Sequence, residues 1–202
     1  MRKFGYAFEQ PLARRALLKM MGISPLLSVV ASCDSSLDEQ DKALSNIPAP
    51  GFNPTEEKIL RVVQLILFPD DGNGPSAEDI FAFKYLQWAL QDPANQADGD
   101  FDFIQKGIGW LDDLARSRHQ AGMMQLTSSQ QSDLITTIAN SSAGENWLSL
   151  LLYYISEALC LDPIYGGNRE EIGWRWLEHQ AGFPRPQLGT RYFEFDYPKG
   201  AL

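Results

Sequence analysis

The chain has 202 residues with 17 Lys and Arg against 26 Asp and Glu, a formal net charge of −9. An acidic surface of this kind is repelled by nucleic acid and by anionic lipid, which excludes binding to either by bulk charge. Two histidines and two cysteines leave little material for metal or redox sites.

In chain order the first element is a leader. Arg14 and Arg15 precede Leu17, Leu18 and Lys19, and an apolar run of 12 residues follows from Met20 to Ala31. A charged region, a short apolar core and small residues at its end are the plan of an export signal. The run falls short of the ~20 residues a membrane-spanning helix needs, and Gly22 and Pro25 weaken it further. The twin arginine resembles a twin-arginine translocation signal, with Ala13 and Leu17 standing where Ser or Thr and Phe are usual. Val30-Ala31-Ser32-Cys33 is similar to a bacterial lipobox, in which Cys33 carries lipid and becomes the first residue after cleavage. Each buried methylene of such a lipid adds about 0.8 kcal/mol of membrane affinity. Asp34 resembles the signal that keeps Gram-negative lipoproteins at the inner membrane. The expectation is therefore a leader over 1–32 and a protein held by Cys33 at the periplasmic face of the inner membrane. Removing the leader leaves 170 residues, with 12 basic and 25 acidic side chains, a balance of −13. The surface then supplies no attraction to lipid, and the acyl chains must.

Residues 33–52 are polar and rich in small residues and proline, and read as a tether. The body, 53–202, opens with a helix signature: Asn53 to cap, Pro54 in the first turn and Glu56 three residues on. Ile59, Leu60, Val62, Val63, Ile66 and Leu67 give its apolar face, and Pro69 with DDGNGP ends it. A second helix is predicted from Ser76, with Ile80, Phe83, Leu86 and Leu90 in helical spacing, up to Asp92-Pro93. A third covers roughly Phe101 to Arg118, and a fourth starts at the Thr127–Gln130 capping box. The fifth, from Trp147 to Leu159, is apolar nearly all round and reads as the central buried helix. Strand patterning is scarce, RYFEFDY near the C-terminus being its one candidate. The fold expected is all-α: a single domain of about five helices with a long irregular C-terminal segment.

The chain is poor in catalytic parts. His119 and His179 belong to no metal-ligand spacing, and no Cys-x-x-Cys-His attaches haem. Asp98, Asp100 and Asp102 begin like a calcium loop, but Phe103 stands at the glycine position, so they read as acids at a helix start. There is no nucleophile elbow, no phosphate loop and no dinucleotide fingerprint. Catalytic, cofactor-binding and metal residues are thus expected to be none. Cys160 has no mate in its own chain if Cys33 is lipidated. Its apolar setting, EALCLDP, points to burial, and its position also makes it a candidate inter-subunit thiol.

What remains is LDPIYGGNREEIGW, residues 161–174. Asp162-Pro163 ends the apolar helix. Tyr165-Gly166-Gly167-Asn168 makes a tight turn in which Gly and Asn accept positive φ. Tyr165, Arg169, Trp174, Arg175 and Trp176 crowd around it, and Tyr, Trp and Arg are the types that anchor interfaces. Two readings stand: a docking surface anchored by Tyr165 and Trp174, or a turn whose aromatics pack in the chain's own core.

This stretch resembles the gluconate 2-dehydrogenase subunit 3 family. Its residues Pro163, Tyr165, Gly166, Gly167, Asn168, Gly173, Trp174, Gly182, Phe183 and Pro184 are similar to that family's signature. GFPRPQLG departs from it by lacking the usual glycine after Phe-Pro. The resemblance extends more weakly over the body from about residue 55 and includes the leader. It implies a non-catalytic small subunit that pairs with a large FAD-dependent dehydrogenase of the glucose–methanol–choline type. A cytochrome c subunit carrying haem often accompanies that pair. It also implies that the leader helps export the folded partner, and that Asp162, Pro163, Tyr165, Gly166, Gly167, Asn168, Gly173 and Trp174 serve partner binding. A different class of function, a stand-alone periplasmic lipoprotein that binds a small ligand or another membrane protein, is the alternative.

Overall fold

The computed structural model describes residues 51–192. The leader residues Arg14, Arg15, Leu17, Leu18 and Lys19, the lipobox Cys33 and most of the tether lie outside the described residues, as does the strand candidate from Phe193 onward.

Among the described residues there are seven α-helices and no strand. They are α1 (Pro54–Leu67), α2 (Ala82–Ala89), α3 (Pro93–Asp98), α4 (Asp100–His119), α5 (Ser128–Ala139), α6 (Ser142–Cys160) and α7 (Ile172–Leu177). The all-α expectation holds, with two short helices beyond the five read from periodicity. α3 arises because Asp92 and Pro93, read as a stop, also form a start: the Asp92 side chain accepts from Ala94 N–H and Pro93 fills the first turn. α7 falls in the segment expected to be irregular, where six residues are too few to show a period.

Local capping follows the sequence closely at two helices. Asn53 Oδ1 accepts from the N–H groups of Thr55 and Glu56, while Glu56 accepts from Asn53 N–H. Thr127 and Gln130 make the same reciprocal pair at α5. The second helix departs from expectation. Ser76 N–H and Oγ–H both donate to the Asp79 carboxylate, which closes a turn rather than starting a helix. Phe81 then adopts φ 55°, and α2 begins only at Ala82.

α6 is the hub, packing against α1, α2, α4, α5 and α7. Trp147, Leu151, Tyr154, Ile155, Ala158 and Leu159 on it are essentially inaccessible. Trp147 lies where Gly107 of α4 leaves room for its ring, and its indole N–H donates to Ile104 O at 3.2 Å. The expectation of burial all round is corrected, however. Ser149, Leu152, Tyr153 and Cys160 line an exposed stripe of α6, because no helix covers that side among the described residues. No described helix is long and apolar enough to cross a membrane.

Candidate functional site

α6 stops at Cys160, and the turn that follows is built by its own residues folding back on the helix end. Asp162 accepts from Ile164 N–H at 3.0 Å, and Pro163 opens a single 3₁₀ turn, Pro163–Tyr165. Gly166 then takes φ 93°, a left-handed conformation that costs glycine little. Gly167 runs flat against α6: a Cβ there would lie 2.7 Å from Ala158 O. Gly173 repeats the device one turn later, where a Cβ would overlap Leu159 O. Both glycines are needed for close backbone approach, not for flexibility.

Asn168 is fully buried at φ 46°. Its side-chain N–H donates to Leu161 O at 3.0 Å, and its Oδ1 accepts from Gly173 N–H at 2.8 Å. One amide therefore ties the C-cap of α6 to the first turn of α7, satisfying the part-buried Leu161 carbonyl and the buried Gly173 N–H. Trp174 is 6% exposed and donates its indole N–H to Cys160 O at 2.7 Å. Tyr165 is half-buried, its ring 4.8 Å from that of Trp88 on α2. The burial is that of the second reading offered by the sequence. Tyr165 and Trp174 pack inside the chain, and so do Gly166, Gly167, Asn168 and Gly173. The glycines, Asn168 and Trp174 bury most of their surface within the chain, while Tyr165 keeps part of its ring accessible.

Three further side chains complete the knot, and of these only Arg185 went unmarked in the sequence. Arg185 donates to Asp162 and Glu171, each at 2.7 Å, and its guanidinium lies 5.1 Å over the Trp174 ring. The hydrogen bond to Asp162 raises its already high pKa. Trp176 donates its indole N–H to Asn73 O, and its ring occupies the space beside Gly74. His179 stacks edge-on to Trp174 at 5.5 Å. The signal that would have found Arg185 is its charge beside Pro184 and Pro186, but its partners lie 14 and 23 residues away. Beside this knot runs an open groove of about 440 Å³ lined by Tyr165, Pro184, Arg185, Pro186, Gln187 and Thr190.

Cys160 is exposed, correcting the expected burial: it falls on the outer stripe of α6, not on its core face. Partial shielding nevertheless pushes its thiol pKa up. A second polar cluster joins α6 to its neighbours. Tyr85 on α2 donates to Glu157 at 2.8 Å, and Tyr154 donates to Asp100 at 2.5 Å. Burial pushes both phenols well above the usual tyrosine range. Tyr153 is pushed up to about 12, first by its hydrogen bond to Glu157, with Tyr192 among the nearby groups that contribute. These phenols stay protonated at neutral pH and act as donors, not as bases. Asp100 and Asp102 lie in the first turn of α4, where acids favour the helix dipole. Among the described residues no three His, Cys, Asp or Glu gather as a metal site would require.

A family model described as Gluconate 2-dehydrogenase subunit 3 matches residues 54–182. The match spans α1 to α7 and ends at Gly182, so it takes in the whole knot apart from Arg185. No curated protein and no solved structure matches the chain.

Proposed function

The chain belongs to the gluconate 2-dehydrogenase subunit 3 family, and from that membership we propose that it is the non-catalytic small subunit of a membrane-associated dehydrogenase complex. The observation that carries the reading is the family match over the helical body. Its partner is a large FAD-dependent subunit of the glucose–methanol–choline type, which holds the active site and the flavin. A cytochrome c subunit with haem completes the electron path. This chain supplies no cofactor of its own.

Two further roles follow from the leader. Arg14 and Arg15 direct export of the folded complex, the small subunit carrying a partner that lacks its own signal. That route suits a flavoprotein, whose cofactor is inserted before export. Cys33 carries the lipid that holds the complex at the periplasmic face of the inner membrane. The buried knot at 161–174 serves this role indirectly, by fixing the end of α6 and the segment after α7 in one geometry. Cys160, exposed at the edge of that region, is the thiol available for a disulfide to a cysteine of the partner.

The deciding experiment is co-expression with the FAD-dependent subunit, followed by fractionation. Changing Arg14 and Arg15 to Lys should leave both subunits in the cytoplasm. Continued export of the partner in normal amount would refute the carrier role. Fatty-acid labelling should mark the wild type and not Cys33→Ala, and equal labelling of both would refute the anchor. A non-reducing gel with no high-mass band would dismiss the disulfide.

A further inference from the structure

Asn73 is the one asparagine of the chain that a glycine follows. It is exposed, and among the described residues no group hydrogen-bonds its side-chain amide or the N–H of Gly74. The other asparagines of the body are committed. Asn95, Asn140 and Asn168 donate their amides to Ala89 O, Thr136 O and Leu161 O. Asn146 lies inside α6, and Asn53 precedes a proline, which has no N–H.

Asn73 thus meets the chemical requirements of spontaneous deamidation. The Gly74 nitrogen attacks the Asn73 side-chain carbonyl carbon and loses its proton. The bond from that carbon to the side-chain nitrogen breaks, ammonia leaves, and a five-membered succinimide closes. Water then opens the ring at either carbonyl, giving aspartate or isoaspartate. No oxidant or reductant takes part, since an amide and water become an acid and ammonia. A side chain on the following residue hinders the attack, and glycine has none.

Against this stands Trp176. Its indole N–H donates to Asn73 O across 103 residues of chain. Its ring lies so close to Gly74 that a Cβ there would come within 2.3 Å of Cε2. The Asn73 carbonyl and the Gly74 N–H belong to one planar peptide group. Ring closure has to turn that plane until its nitrogen faces the Asn73 side chain. Trp176 holds the oxygen of the same plane and packs against the glycine beside it.

We infer that Asn73–Gly74 is a deamidation site and that Trp176 keeps it closed in the folded chain. One contact creates the hazard and contains it. Only glycine at position 74 admits the Trp176 ring, and glycine is the residue that leaves Asn73 most reactive. The latch and the modification exclude each other. Isoaspartate carries the main chain through the former side-chain carbon, so the carbonyl that Trp176 binds leaves the peptide link. Deamidation therefore releases α7 from the loop after α1, and it adds a charge to a chain already acidic.

The test incubates the full chain at mildly alkaline pH and follows residue 73 by peptide mass mapping with isoaspartate detection. In urea the wild type should convert at Asn73 faster than at any other asparagine. Folded, it should convert about tenfold more slowly or less. Trp176→Phe keeps a ring beside Gly74 and loses the N–H. Folded, as circular dichroism checks, it should convert about fivefold faster than the folded wild type, the effect of one hydrogen bond. Equal wild-type rates in the folded state and in urea overturn the inference, as does an unchanged rate in folded Trp176→Phe. Absence of product at Asn73 in urea overturns it as well. If Trp176→Phe does not fold, the wild-type comparison decides, because the Asn73 side chain has no bond of its own to protect it.

Discussion

Residues 69–75, PDDGNGP, and residues 161–168, LDPIYGGN, both follow an apolar helix, and both hold Pro, Asp, Gly and Asn. Their folded states differ. In the first, Asp70 accepts from Gly72 N–H and Asp71 from Asn73 N–H, so each side chain satisfies a donor two residues on, in contact with solvent. In the second, Asn168 reaches Leu161 O and Gly173 N–H across seven and five residues, and is itself fully buried. The first turn is solvated and needs no more than its own dipoles. The second is buried at Ile164 and from Gly166 to Asn168, so the polar groups there must find protein partners. The same turn-forming composition thus builds a local reversal in one place and a structural knot in the other, and burial makes the difference. The two meet at Trp176, which hydrogen-bonds Asn73 O and fills the space beside Gly74.

Substitutions can break this contrast, and the largest effect belongs to the knot's anchor. Trp174→Ala removes a buried ring and its bond to Cys160 O, and should cost about 3–5 kcal/mol of folding stability in urea titration. A variant as stable as wild type would show that the ring is not part of the core. Gly167→Ala comes next. Its Cβ meets the Ala158 backbone at 2.7–2.8 Å, which cannot give way as a side chain would, and about 3 kcal/mol is expected. Gly72→Ala has open space around it and pays only for its φ of 79°, roughly 1 kcal/mol. Equal losses at the two glycines would erase the distinction between close approach and turn geometry.

The asparagines sharpen it further. Asn168→Ala should cost about 1–3 kcal/mol, since the buried Gly173 N–H and the part-buried Leu161 carbonyl lose their partner. Asn73→Ala, exposed, should cost under ~0.5 kcal/mol. The smallest effect concerns acid sensitivity near the first loop. Hydrogen bonds from Ser76, side chain first and backbone second, hold Asp79 below the usual carboxylate range. A carboxyl lowered in the folded state adds stability above about pH 4 that is lost as pH falls through its folded value. Asp79→Asn should therefore be less stable than wild type at neutral pH by under ~1 kcal/mol, because the site is solvent-screened. The gap should close in strong acid. A gap that widens on acidification would have the wrong sign for this account.

Much of the fold was legible in the chain. The Asn53–Glu56 and Thr127–Gln130 capping boxes announced α1 and α5, since their information lies within four residues. The apolar run of Trp147–Leu159 announced the hub helix α6. The start of α2 was misplaced because Ser76 and Asp79 satisfy each other, and because nothing in the sequence says that Phe81 takes a left-handed conformation. In the 161–174 stretch, composition marked the right segment and left its side chains' direction open. Aromatics and arginine suit an interface and a core alike.

By itself the sequence determined the helical class, the caps, the leader pattern and the family signature, because each depends on residues close together in the chain. Tertiary structure alone decided which face of α6 is dry. It turned Cys160 and Tyr153 outward and Trp174 inward, and it brought Arg185 to Asp162 across 23 residues. Those outcomes depend on which helices cover which stripe. That is a property of packing between distant segments, and periodicity within one segment does not carry it.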